Sequence, residues 1–287
     1  MNAMNDRIHL LGRVKIMAEL LLKSGLRIGA SDTGISVGTI NAIIRNPITT
    51  EPYVPGSSLK GKLRSLFEKA HARPQNKAVQ RIRIHVCEKQ SDYDDCPVCP
   101  IFGVSADDPE GTQFPKGAPT RIIVRDAALS ETTRKDPRFQ NLESEFSELK
   151  TEVAIDRLTS RAVPRTQERV PAGASFDFEA VFNFHDRNDG KHFLNFCQSM
   201  RLLEQDFLGG SGSRGYGQVL FKSITLTRTK AKTFAADEAP KKYETSDDEA
   251  IHAIDKLLAD ESALGTWLMG KLETQIAASP QKSGAGS

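Results

Sequence analysis

No stretch of the 287 residues approaches the roughly 20 consecutive apolar residues that a bilayer-spanning helix needs. The start, Met1 to Arg13, is polar with scattered apolar side chains and lacks the apolar core of a secretory signal. Both absences predict a cytoplasmic protein. An excess of one charge is also lacking: 39 Lys and Arg against 37 Asp and Glu leave a net of +2. This excludes a uniformly basic nucleic-acid binder and predicts that any such surface is a local stripe. Residues 230–287 hold 7 Lys and 10 acidic side chains, so the first 229 carry 32 basic and 27 acidic ones. Cysteine is scarce at four, and in a reducing compartment these should not be disulfides. Cys197, between Phe196 and Met200, reads as a buried core thiol. No internal repeat is present, which sets aside a repeat array.

What is present describes one elaborated domain or two small ones, 38% hydrophobic and 26% charged, large enough for a real core. Ile8 to Leu22 reads as a strand and Ile28 to Ser36 as a polar loop. Ala42 to Arg45, before Asn46-Pro47, reads as a strand end or turn. Leu59, Leu63, Leu66 and Phe67 recur at helical spacing after Pro55-Gly56-Ser57-Ser58. This predicts an amphipathic helix capped by Ser57 or Ser58 and ending near His71. Residues 72–120 read as a long irregular insertion, Arg121 to Val124 as a strand, and 130–150 as exposed polar chain. Phe176 to Phe184 alternates as a half-buried strand, Lys191 to Leu203 reads as a helix, and Val219 to Leu226 as a final strand. This order predicts an α+β, ferredoxin-like core with insertions over residues 1–232. Residues 233–287 read as an acidic linker followed by a helical extension, with the helical pattern over Ala250 to Ile276.

Four constellations carry chemistry. Gly209 to Gly217 reads Gly-Gly-Ser-Gly-Ser-Arg-Gly-Tyr-Gly. Glycines let the backbone approach a ligand, successive N–H groups can cradle an anion, Arg214 suits phosphate and Tyr216 offers a stacking face. The loop is neither a P-loop, since no Gly-Lys-Ser/Thr follows, nor a dinucleotide turn, since its strand comes after it. A flexible hairpin loop is the plain alternative. Pro55 to Arg64 places Ser57, Ser58, Lys60, Lys62 and Arg64 at a helix start, where unpaired N–H groups and the dipole attract phosphate. A solvated, serine-capped helix is the plain alternative there. His85-x-Cys87-x8-Cys96-x2-Cys99 supplies four ligands suited to tetrahedral structural zinc, with His71, Asp92 and Asp95 as alternatives to His85. In Thr151 to Pro171, arginines at 157, 161, 165 and 169 recur every four residues, but Pro164 and β-branched residues oppose a helix. An extended arm with its tip near Ser160 to Pro164 is expected.

Taken together, Gly25-Leu-Arg-Ile-Gly29, Pro55 to Arg64, Cys96-Pro-Val-Cys-Pro-Ile-Phe-Gly103, Thr151 to Phe178 and Leu208 to Gly217 occur in one order over about 200 residues. In that order they resemble the backbone RAMP subunit of type III-A (Csm) CRISPR effector complexes, a Cas-seven-like family. The resemblance implies an RRM-like (ferredoxin-like) palm, a zinc-binding insertion at about 72–120 and a β-hairpin thumb at about 150–172. It implies copies polymerised along a guide RNA, which pairs with target RNA beside other type III effector subunits in antiviral defence. Carried over, Ser57, Ser58, Lys60, Lys62, Arg64, Arg157, Arg161, Gly210, Ser211, Gly212, Ser213, Arg214 and Gly215 would bind RNA. Ile155 to Pro164 would form or flank the thumb. The resemblance ends near residue 230.

The family also cuts target RNA with a loop aspartate, in a stretch reading roughly Gly-x-Ile-Asp-x-Pro-Val-Ile-Arg-Asp-Pro. Here the stretch is Gly38-Thr-Ile-Asn-Ala-Ile-Ile-Arg-Asn-Pro47, one residue shorter, with Ile40 or Asn41 in the aspartate's place. An amide replaces a carboxylate neither as a metal ligand of equal charge nor as a proton acceptor. The expectation is gripping without cutting. Asp32 is the remaining candidate carboxylate, and a divalent metal such as Mg is implied only if cutting is retained. The competing class is a stand-alone RAMP-type endonuclease that matures guide RNA. Such enzymes commonly resemble general acid/base RNases with a histidine, and none of His9, His71, His85, His185, His192 and His252 sits in a recognisable acid/base constellation.

Overall fold

The computed structural model describes residues 9–29, 42–80, 82–104, 119–142, 144–230, 241–243 and 253–269. Along the chain these form β1 (Gly12–Leu22), β2 (Tyr53–Val54), α1 (Gly56–Ala70), β3 (Lys77–Val79), β4 (Ile82–Ile84), α2 (Gln90–Asp94) and α3 (Cys99–Phe102). There follow β5 (Ile122–Val124), β6 (Ala127–Leu129), α4 (Glu131–Lys135), α5 (Pro137–Gln140), β7 (Glu148–Ile155), β8 (Ala162–Arg169) and β9 (Ser175–Phe184). The last are α6 (Asp189–Glu204), β10 (Val219–Lys230), β11 (Lys241–Tyr243), α7 (Ala253–Ala259) and α8 (Glu261–Met269). Asp32, Ile40 and Asn41 lie outside the described residues.

The main sheet runs β11-β10-β1-β9-β6-β2, with β5 also on β9, and its pairings are antiparallel. Strict alternation in β1 explains its central place. Val14, Ile16, Leu20 and Leu22 are buried on one face, while Arg13 and Met17 point to solvent. Phe176, Phe178, Phe182 and Phe184 of β9 face the same core. There α1, through Leu59, Leu63 and Phe67, and α6, through Phe193, Phe196 and Met200, cover the sheet. Phe182 meets Phe193 edge to face at 5.5 Å, and truncating such a side chain to alanine costs about 3–5 kcal/mol. Cys197 is fully buried in this core, and burial pushes its thiol up.

Three readings need correction. Residues 72–120 are not wholly irregular: β3, β4, α2 and α3 lie there, each only three to five residues long and too short for a periodicity signal. Residues 130–150 are not simply exposed. The Ser130 hydroxyl caps α4 by accepting from the Thr133 N–H at 3.2 Å, and Phe139, Phe146 and Ser147 are buried. Nor does a serine cap α1. Its N-cap is Pro55, and the Asp126 carboxylate accepts from the Gly56 N–H at 2.7 Å. Asp126 can reach because β5 and β6 pair with successive parts of β9, and the chain turns between them.

The C-terminal segment adds to the sheet. β11 extends it beyond β10, and α7 and α8 lie against α6. Ile254, Leu257, Leu264 and Leu268 are buried, and Arg201 on α6 pairs with Asp255 at 2.7 Å. No helix among the described residues is long and apolar enough to cross a membrane.

Candidate nucleic-acid interface and metal centre

The glycine loop follows α6 and crosses the end of β1. Gly217 sits at φ +75°, where a Cβ would lie 1.9 Å from the Leu208 carbonyl oxygen, so only glycine fits. A Cβ on Gly212 would fall 2.0 Å from the Phe207 ring. Four of the loop's N–H groups are already engaged, two by the segment after β1 and two within the loop. The N–H of Gly210 donates to the Arg27 carbonyl at 2.8 Å, that of Gly217 to Gly25, that of Arg214 to Ser211 and that of Gly215 to Gly212. The N–H groups of Ser211, Gly212 and Ser213 head the 3-10 turn over Gly212–Arg214 and have no acceptor within it.

Around this loop the fold gathers segments that the sequence separates widely. Lys62 of α1 lies 3.7 Å above the Phe207 ring and 3.4 Å from the Asp206 carboxylate. Arg27 brings its Nη1 within 3.4 Å of the Gly210 Cβ position, and it makes no ion pair among the described residues. From the β7–β8 hairpin, Glu152 pairs with Arg214 at 3.2 Å and Gln167 accepts from the Ser211 hydroxyl at 3.4 Å. Lys150 and Arg169 flank the Tyr216 ring at 4.7 and 4.8 Å. Tyr216 is 1% exposed, so the expected stacking face is closed to a base. Arg27 and Lys150 were not singled out in the sequence, although Arg27 stands inside the Gly25 to Gly29 motif, and Arg169 was named only as one of the four arginines of the arm. Lys60 is half-buried, and desolvation first and Arg64 second hold its amine below the usual lysine range. Ser57 is exposed at the helix start and Ser58 half-buried.

Arg64 is employed differently. Its guanidinium donates to the Glu68 carboxylate at 2.7 Å, to the Gly103 carbonyl at 3.0 Å and to the His85 carbonyl at 2.6 Å. It stitches α1 to the cysteine cluster and leaves little donor capacity for phosphate.

The hairpin pairs Glu148 with Arg169 through Ile155 with Ala162. The Asp156 carboxylate makes its turn by accepting from the Leu158 and Thr159 N–H groups at 2.8 and 3.0 Å. Arg157 and Arg161 lie in that turn, both exposed. At the base, Glu168 accepts from Arg45 and Ser147 at 2.7 Å each and from the Ile43 N–H at 3.0 Å. Burial favours a higher pKa for Glu168, but these donors together hold it below the usual carboxylate range.

His85, Cys87, Cys96 and Cys99 are all buried, with one ligand atom each inside a 4.8 Å span. Both Cys87 and Cys96 sulfurs lie 3.5 Å from His85 Nε2, close to the separations of a tetrahedral site. The Pro74 carbonyl accepts from His85 Nδ1 at 3.1 Å, which leaves Nε2 as the free ligand atom. The Val98 and Cys99 N–H groups donate to the Cys96 sulfur at 3.4 and 3.3 Å. With the Cys87 and Cys99 side chains, these donors hold the Cys96 thiol far below its ordinary range. The Cys87 and Cys99 thiols are pushed the other way, up, so a cation held by this set would displace their protons. Of the alternatives to His85, His71 caps α1 against the Phe67 ring, and Asp92 contributes only its carbonyl, which accepts from Cys87.

The profile of the RAMP superfamily matches residues 19–220. A Methanothermobacter thermautotrophicus protein named CRISPR system Cms endoribonuclease Csm3 is 40% identical over 223 residues, 74% of this chain and 84% of that one. Proteins of the same name from Streptococcus thermophilus and Methanocaldococcus jannaschii are 38% and 34% identical. They cover 75% and 88% of this chain, and 90% and 96% of their own lengths. Among solved structures, a Csm3–Csm4 subcomplex of a type III-A CRISPR–Cas interference complex aligns at 26% identity and a TM-score of 0.53. It covers 89% of this chain and 98% of its own. Methanopyrus kandleri Csm3 aligns at 22% identity and a TM-score of 0.58, covering 90% and 98%, and so speaks for the fold. The chain belongs to the RAMP superfamily, in its Csm3 family of CRISPR proteins.

Proposed function

We propose that this chain is the guide-RNA-gripping backbone subunit of a type III CRISPR effector complex in the cytoplasm. One observation carries the reading: the start of α1, the Arg27 segment, the glycine loop and the hairpin base meet at one place. Arg27, Lys60 and Arg214, with the Ser211 to Ser213 N–H groups, provide charge and directional donors for a run of phosphates. Ser57, Ser58, Lys62, Gly210, Gly215, Arg157 and Arg161 complete the strip. In this reading β1, α1, β5–β6, β9, α6 and β10 form a ferredoxin-like palm, the β7–β8 hairpin is its thumb, and structural zinc fills the His85 cluster. The acidic C-terminal segment, residues 233–287, is an extension whose β11, α7 and α8 are added to the sheet and to α6. Copies stack along the guide and present it to target RNA, with other type III subunits at their side.

The test is RNA affinity of the chain, alone and with its partners, across a salt series. The expected log–log slope for a single strand is about −0.7 for each phosphate contact. Arg214→Ala should flatten it, and affinity independent of salt refutes the reading. Sequencing the nucleic acid that co-purifies with the assembly should return guide RNA. Processing of precursor RNA by the isolated chain would instead support the stand-alone endonuclease.

Gripping carries no cutting step here, because the loop around Ile40 and Asn41 lacks the expected carboxylate. Its relatives are named endoribonucleases, so the assembly should be incubated with complementary RNA and Mg²⁺. The expected result is no cleavage at six-nucleotide spacing. Regular cuts abolished by Asp32→Ala would assign the missing carboxylate to Asp32 and overturn the non-cutting reading.

A further inference from the structure

The stretch from Lys69 to Cys87 holds five basic side chains (Lys69, Arg73, Lys77, Arg81 and Arg83) and no acidic one. The whole chain nets only +2, so this is a concentrated charge patch. None of its residues belongs to the strip around the glycine loop. It begins in the last turn of α1 and runs through the β3–β4 ribbon. With a rise of about 1.5 Å per residue, the 15-residue α1 separates it from the Ser57 end by about 20 Å.

We infer that this ribbon is a second binding surface for the phosphodiester backbone of RNA, oriented by the metal centre. Lys69 and Arg83 are exposed and make no ion pair among the described residues. Arg73 Nε is buried without a hydrogen-bond partner, a donor left unused by the fold. Val79 and Ile82 pair across the ribbon and stay 37% and 62% exposed, while Arg83, paired with Ala78, points to the opposite face, so the ribbon carries exposed apolar surface on one face and a cation on the other. A phosphate backbone with its ribose and base edges matches that pairing of charge and apolar surface.

Two three-residue strands cannot hold themselves in water. This ribbon is held from below. Asn76 exchanges side-chain hydrogen bonds with the Val86 backbone at 2.8 and 3.0 Å, extending the β3–β4 ladder by one step. Pro74 is tied to His85 Nδ1, and Arg64 reaches the His85 carbonyl. The His85 cluster therefore has a functional consequence beyond stability: it fixes the direction in which the basic ribbon points.

This inference rests on the proposed RNA-gripping role, and the test separates the two. The full chain carrying Lys69→Glu and Arg83→Glu is compared with wild type and with Arg214→Ala for binding to single-stranded RNA over a salt series. The reversal should flatten the slope by about 1.4, the effect of two phosphate contacts. Ultraviolet cross-linking of bound RNA should label a peptide spanning residues 69–84. An unchanged slope with no such cross-link, while Arg214→Ala weakens binding, overturns the ribbon and leaves the gripping role standing. Loss of self-association with an unchanged RNA slope also overturns it, assigning the patch to an acidic protein surface. Wild-type protein that binds no RNA removes both. A Lys69→Arg, Arg83→Lys variant should bind like wild type and keeps the reading independent of misfolding.

Discussion

The His85 cluster and the β7–β8 hairpin are both excursions from the main sheet and its helices, and each is too slight to own a hydrophobic core. They are held in opposite ways. The cluster turns its chemistry inward, with four buried ligand residues and Arg64 and Glu68 lashing it to α1. The hairpin turns its apolar groups outward: Val153, Ile155 and Val163 are about half exposed and Leu158 is 96% exposed. Its lower half is fastened, through Glu168 to Arg45, Ser147 and Ile43, and through Glu152 to Arg214 at 3.2 Å. A closed cluster is complete by itself. An apolar ribbon standing in water is a surface made for a partner.

The sharpest way to break this contrast is to open the cluster. Cys96→Ser removes the ligand that accepts two backbone N–H groups. With the proposed structural zinc in the cluster, metal analysis should fall from about one zinc per chain to a small fraction. Loss of a structural zinc site withdraws folding free energy, so Tm should drop by roughly 5–10 °C. An unchanged Tm with full metal loss would mean that packing alone holds the insertion.

The next effect tests the hairpin's base. Glu168→Gln keeps the shape but removes the charge that faces Arg45, leaving a half-buried guanidinium short of its partner. A fully buried pair broken in this way costs about 3–5 kcal/mol; Arg45 retains some solvent, so about 1–3 kcal/mol is expected from urea unfolding at pH 7. The pH dependence has a definite sign. Glu168 titrates below its usual 4.5 in the folded chain, so its contribution is present above that value. It fades as pH falls through the lower folded value. Wild type and variant should converge in acid, and a gap that persists there would show that the pair contributes nothing electrostatic.

These two regions also differ in how far the sequence disclosed them. The cluster was legible residue by residue, because metal ligation imposes a spacing on Cys and His that little else imitates. Geometry then favoured His85 over His71, Asp92 and Asp95. The hairpin was legible as an extended arm, since Pro164 opposes a helix. The four-residue recurrence of arginine was misleading, because Arg157 and Arg161 sit in the turn while Arg165 and Arg169 lie on β8. Its fastening was not legible. Glu168 meets Ile43 and Arg45 across more than 120 residues, and no local pattern announces such a contact. The same holds for Arg64, whose place at a helix start suggested phosphate while its true partners are two carbonyls and Glu68. Tyr216 looked like a stacking face because a tyrosine in a glycine loop usually has room around it; here Lys150 and Arg169 close over the ring.

The smallest expected effect on stability is the most informative about the hairpin. Leu158→Asn removes a large apolar side chain that touches almost nothing in the folded chain, at the tip of a turn closed by Asp156. A core leucine such as Leu63, fully buried on α1, would cost several kcal/mol if made polar. Leu158 should cost less than about 0.5 kcal/mol, because the water it meets when folded is the water it meets when unfolded. The urea midpoint should therefore not move. If the hairpin is a surface made for RNA, the same substitution should reduce recovery of guide-loaded assemblies while free chain folds as before. An unaffected assembly would place the working contact elsewhere on the hairpin, at Val153 and Pro164, whose cross-strand pairing puts them on one face. A shifted midpoint would mean that the apolar row packs on the chain's own body, and the contrast between a closed cluster and an open ribbon would fail.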